Sequence, residues 1–178
     1  MYVNLRKEKK RVLIINFSAI IVAFIIAILM HFVVPVSTLF DFSKGISVFF
    51  IKYIVLIIGN ILYFFLHEFL HGVAMKLCGT KKVEYGFNGV YAFAGSDDYY
   101  DKKSYLMIAM APVVVLGIIL IILNCIVPTQ WFWVVFLIQI SNISGAMGDI
   151  YIAICFRKLP KDALLRDDEI GIIVYSAE

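Results

Sequence analysis

The sequence predicts an all-α integral membrane protein: four transmembrane helices with a small cytoplasmic β-hairpin between helices 2 and 3. Two observations carry that expectation. Apolar residues make up 62% of the 178 residues, charged residues only 16%, and the mean hydropathy is +0.93, against roughly 45–50% apolar and 25% charged in soluble domains. A water-soluble monomer of this length has too little interior to hide so much apolar surface, and the same composition excludes disorder. The charged residues, moreover, are fenced into short stretches between apolar runs that reach the roughly 20 residues a bilayer crossing needs.

The first run, Val12 to Val34, follows Arg11 and ends at Pro35. Its basic flank looks like that of a signal peptide, but the run exceeds the usual apolar stretch of about 7–15 residues and no small-x-small cleavage site follows, so it reads as a retained anchor. The second, Ile46 to Leu77, stops just before Gly79, the third, Tyr105 to Val127, at Pro128, and the fourth, Trp131 to Phe156, at Arg157. Between the second and third runs, Lys82–Phe87 and Val90–Ala94 flank Asn88-Gly89, the dipeptide best suited to a two-residue hairpin turn. This hairpin, about residues 82–94, either offers an edge to an extended peptide or simply caps the helix ends. Asp97, Asp98 and Asp101 read as a solvated loop, and residues 157–178 as a cytoplasmic tail. The whole chain, 1–178, reads as one membrane-embedded domain.

Lys and Arg set the orientation. Arg6, Lys7, Lys9, Lys10 and Arg11 precede the first span, Lys76, Lys81, Lys82, Lys102 and Lys103 lie in or beside the central loop, and Arg157, Lys158, Lys161 and Arg166 lie in the tail. The first loop has Lys44, with Lys52 able to reach toward it, and the Pro128–Gln130 turn has none. Both termini and the hairpin are therefore expected in the cytoplasm, with Trp131 and Trp133 at the outer interface and Tyr99, Tyr100 and Tyr105 at the inner one. The net charge of +3 gives no reason to expect nucleic acid. Cys78, Cys125 and Cys155 lie singly, form no disulfide framework, and read as core residues.

A charged group inside a spanning helix costs about 2.5–3.5 kcal/mol on insertion scales. With Lys76 counted in the following loop, the spans hold His31, Lys52, His67, Glu68, His71 and Asp149. Three of these fall in Leu66-His67-Glu68-Phe69-Leu70-His71, an H-E-x-x-H pattern. On a helix its spacing puts both imidazoles on one face, able to chelate one Zn²⁺, with Glu68 placed to act as general base on a metal-bound water. The bland reading is that these side chains hydrogen-bond to one another and to neighbouring helices. Catalytic zinc usually takes a third protein ligand, and Asp149 is the one carboxylate in the other spans. Counted inward from Lys52, His67 and His71 lie about 22 and 28 Å deep, and from Trp133, Asp149 lies about 24 Å deep. The three meet in one layer near the cytoplasmic side.

Ser144-Gly-Ala-Met-Gly-Asp149 is a run of mostly small residues that lets the fourth helix approach the second. Asn142, seven residues before Asp149, shares its face and could bind a substrate backbone, orient a ligand, or bond between helices. Asn60 and Asn124 read as packing amides, His31 as an interfacial or core histidine, and Pro112 as a kink in the third span.

Together, His-Glu-Phe-Leu-His-Gly (67–72), the hairpin, Ala109-Met-Ala-Pro112, the run ending in Asp149 and Asp168-Glu-Ile-Gly-Ile-Ile-Val-Tyr175 resemble the putative zincin peptidases, small bacterial membrane proteins. The chain is more distantly similar to the site-2 proteases, although Gly148 here precedes Asp149 rather than following it. The resemblance implies one zinc ion held by His67, His71 and Asp149, with Glu68 as base. It also implies a bacterial cell membrane as location and a protein or peptide substrate in or beside the bilayer. Two other readings of the same residues stay open: a non-catalytic zinc-binding membrane scaffold, and the ion-site subunit of a transporter, the latter disfavoured by the lack of an internal repeat.

Overall fold

The computed structural model describes residues 2–3, 9–87, 92–168 and 171–175. Its helical segments are α1 (Lys9–His31), α2 (Ile46–Leu77), α3 (Lys102–Ile126), α4 (Thr129–Gly145) and α5 (Met147–Phe156). They make four spans long and apolar enough to cross a bilayer, α4 and α5 together forming the fourth. Large apolar side chains point outward from them: Phe24 on α1, Phe65 on α2 and Ile118 on α3 are 65%, 70% and 55% exposed. Such a surface is tolerable only against lipid, and the chain is a multi-pass membrane protein. Cys125 and Cys155 also lie on this outer surface, not in the core. An apolar thiol is as well placed against lipid as against protein.

The second span ends as its sequence dictates. Gly79 takes a positive φ of 97°, Thr80 N–H bonds Met75 O, and Gly79 N–H bonds Lys76 O. These two bonds complete a Schellman cap that occupies carbonyls otherwise left open. At the opposite end of the bundle α1 stops at His31, three residues short of the expected end, and His31 Nδ1 accepts a hydrogen bond from the Val36 N–H. A 3-10 turn over Val36–Phe40 follows, and Lys52 reaches it: its side chain is buried and Nζ donates to Thr38 O at 3.0 Å. Trp133 is buried here rather than facing headgroups, and its Nε1–H donates to Val34 O at 2.9 Å. With Leu39, Val34, Phe136 and Ile140 it forms a core at this end of the bundle.

The end of the bundle that carries the hairpin holds more β structure than the sequence suggests. Strands β1 (Tyr2–Val3), β4 (Tyr100–Asp101), β5 (Leu164–Asp168) and β6 (Gly171–Tyr175) form one antiparallel sheet in the order β1-β6-β5-β4. The segment read as a tail, 157–178, thus contains a strand pair. Ile172 and Val174 are buried while Tyr175 is exposed, the alternation of a half-buried strand. Leu165, Ile172 and Val174 pack on Ala74 and Met75 of α2, Tyr105 and Ile108 of α3 and Phe156 of α5. The sheet therefore draws the N-terminal strand, the segment before α3 and the tail to one end of the bundle.

The expected hairpin is present as β2 (Glu84–Phe87) and β3 (Ala92–Gly95), but its register differs from that of a two-residue turn. Phe87 pairs with Ala92, leaving four residues between the strands, where an Asn88-Gly89 turn would pair Phe87 with Val90. Asn88 and Gly89 themselves lie outside the described residues. The shift of two preserves which side chains share a face, so the alternating pattern alone could not distinguish the registers.

Asp101 is not simply solvated. It is the N-cap of α3, its Oδ1 accepting from Ser104 N–H at 2.7 Å, which starts the helix at Lys102 rather than Tyr105. The backbone N–H and the side chain of Ser104 hold the Asp101 carboxyl below its ordinary value. A carboxyl lowered on folding contributes stability above its unfolded pKa and loses it as pH falls through the folded one. Asp101→Ala should destabilise the protein by about 1 kcal/mol at neutral pH. Unfolding measured in detergent should show the gap to wild type shrinking as pH falls below 3.8.

Candidate metal centre

α2 runs unbroken through the H-E-x-x-H segment, so His67 and His71 stand one turn apart on the same face. Their Nε2 atoms are 3.2 Å apart. Asp149 Oδ2 lies 3.2 Å from His67 Nε2 and 3.7 Å from His71 Nε2. Tetrahedral zinc with bonds of about 2.0–2.1 Å separates its ligand atoms by about 3.3–3.4 Å. The observed triangle fits that spacing, and two imidazoles with one carboxylate are a donor set suited to zinc. The expectation that the three side chains meet is met.

The far nitrogens of both rings are engaged. His71 Nδ1 lies 2.9 Å from Ile108 O. A carbonyl can only accept, so Nδ1 carries the hydrogen and Nε2 presents a bare lone pair toward the cluster. His67 Nδ1 lies 3.4 Å from the hydroxyl of buried Tyr63, one turn earlier on α2. Neither Tyr63 nor the Ile108 carbonyl was singled out in the sequence. Tyr63 had a legible signal in its i−4 spacing from His67, whereas a backbone carbonyl has no side chain to announce it.

Asp149 reaches the imidazoles because the fourth span is not one helix. The span covers the expected run from Trp131 to Phe156, but its helix is interrupted at fully buried Ala146. Ser144 Oγ bonds back to Ile140 O at 2.8 Å, an interaction that bends helices, and Gly145 and Gly148 weaken the ladder nearby. Asp149 consequently lies in the first turn of α5, where unpaired N–H groups favour negative charge. Gly145 also admits α2: a Cβ there would sit 3.1 Å from the Tyr63 hydroxyl. The Asp149 side chain is 26% exposed against 10% for His67, so the cluster opens on its carboxylate side.

Glu68 is half-buried and lies beside Ala94 of β3. The hairpin is seated directly on α2, since a Cβ at Gly72 would overlap the Tyr85 hydroxyl of β2. Asn142 is placed elsewhere. It is fully buried between α4 and α3, its Nδ2 donating to Val113 O at 3.1 Å, and the break at Ala146 intervenes between it and Asp149. Of the uses considered for Asn142, the geometry favours the bond between helices over contact with a substrate. Its Oδ1 has no partner among the described residues. His31, at the C-terminal end of α1, takes no part.

A family model described as putative zincin peptidase matches residues 60–164, more than half the chain. That stretch contains Tyr63, the H-E-x-x-H segment, the hairpin, all of α3 and Asp149. No curated protein and no solved structure matches the chain.

Metal analysis of detergent-purified protein should find about one zinc per chain. Asp149→Ala should lose most of it, leaving a two-histidine site, and His71→Ala likewise.

Proposed function

The chain belongs to the putative zincin peptidase family, and we propose that it is a membrane-embedded zinc metallopeptidase. In this reading it cleaves peptide bonds of substrates within or beside the bilayer. The observation that carries the proposal is the convergence of His67, His71 and Asp149 from two spans, with Glu68 adjoining the first ligand. Bound zinc supplies Lewis acidity and brings the pKa of water near 7. Glu68 accepts the proton that the attacking water sheds and returns it to the leaving nitrogen as the C–N bond breaks. Ala94 of the hairpin strand β3 lies beside this carboxylate. His71 and His67 keep their Nδ1 atoms on Ile108 and Tyr63 throughout, so their Nε2 lone pairs do not turn away.

A peptide bond within a helix is shielded by its own hydrogen bonds, so the substrate segment has to be extended. Among the described residues the β2–β3 sheet has two strands, and its backbone offers an extended segment hydrogen bonds beside Glu68. We place the hairpin and both termini on the cytoplasmic side of a bacterial membrane. The basic flanks support this, as does the joining of β1, β4, β5 and β6 in one sheet at one end of the bundle.

Glu68→Gln separates hydrolysis from metal binding. It should leave the zinc content unchanged and reduce cleavage of membrane-spanning peptides in reconstituted vesicles by at least about 100-fold. Wild-type protein that carries zinc yet cleaves none of a broad peptide panel would favour a non-catalytic scaffold.

A further inference from the structure

The Ile108 carbonyl is available to His71 for a reason written four residues further on. In an α-helix the oxygen of residue 108 would accept from the N–H of residue 112. Residue 112 is proline, which has no N–H and whose ring crowds that same carbonyl. Pro112 lies inside α3, fully buried, so no water replaces the missing donor, and an unpaired carbonyl at this depth is costly. The His71 Nδ1–H fills the vacancy at 2.9 Å. Each group satisfies what the other lacks: the ring needs an acceptor for its far nitrogen, and the helix needs a donor for its orphaned oxygen.

We propose that Pro112 is a positioning residue of the metal centre, reserving the Ile108 carbonyl for His71 and so aiming His71 Nε2 at the ligand cluster. The inference rests on His67, His71 and Asp149 being metal ligands. It gives Pro112 a task distinct from kinking a helix. A residue with an N–H at position 112 draws the Ile108 oxygen back into the helix ladder. His71 then loses its fixed acceptor, and its ring is free to rotate or change tautomer.

The test is zinc affinity of the full-length chain in detergent, measured by competition with a chromophoric chelator. Pro112→Ala is compared with wild type and with Phe136→Ala. Phe136 is buried on α4 in the cluster around Trp133, which contains none of the ligands or their partners, so its truncation loosens packing without supplying an N–H to Ile108. Pro112→Ala should weaken zinc binding about tenfold, while Phe136→Ala binds as wild type does even if it melts earlier. The proposal is overturned if Pro112→Ala binds zinc like wild type, or if Phe136→Ala loses as much affinity. Failure of the underlying reading shows separately, as wild type that does not take up zinc at all.

Discussion

Two imidazoles and a carboxylate inside an apolar bundle pose a problem of directed hydrogen bonding before they pose one of catalysis. Each ring has two nitrogens, water is scarce, and every unsatisfied polar atom costs energy. The structure resolves this by giving each far nitrogen a partner, Ile108 O for His71 and Tyr63 Oη for His67. The three remaining donor atoms then have nothing to face but one another. Repulsion among lone pairs so placed is relieved by a shared cation or proton. The ligand triangle is thus a consequence of how the far nitrogens are anchored.

Bringing a carboxylate to that triangle requires close helix approach, and here small residues decide the geometry. Gly59 accepts the Ile138 side chain where a Cβ would overlap it, and Gly145 lets Tyr63 come close where a Cβ would be a tight contact. These contacts draw the fourth span against α2 along its length. The break at Ala146 then converts the end of that approach into a helix start, with Asp149 in its first turn. A continuous helix would have lacked the unpaired N–H groups that steady an acidic side chain. The disruption of the span and the placement of the ligand are one structural event.

Much of this was legible in the sequence because a bilayer makes polar residues conspicuous. The four spans followed from length and hydropathy, and H-E-x-x-H with Asp149 stood out as polar groups without an evident structural use. What escaped was carried by backbone or by weak patterns. The Ala146 break was hidden because Ser144 to Gly148 is apolar or small enough to pass as helix. Asn142 was placed on the face of Asp149 by assuming that helix continuous. The tail strands have a short alternating pattern and draw their stability from partners distant in sequence, β1 and β4, which no local window contains. Asp101 was read as loop because a cap and a solvated acid look alike until the first helical residue is known.

The tail sheet also bears on the metal centre, through Ile108. Its carbonyl holds His71, while its side chain, 3% exposed, belongs to the inner core with Leu165, Ile172 and Val174 of the sheet. Met75 and Ala74, one turn beyond His71 on α2, belong to the same cluster. Both ends of the His71–Ile108 hydrogen bond are therefore backed by one block of packed side chains. A close-packed block transmits displacement rather than absorbing it, so a shift of β5 or β6 is felt at the bond that orients His71. The four-stranded sheet is then more than a cover for the helix ends: it fixes the separation of α2 and α3 where the ligand geometry depends on it.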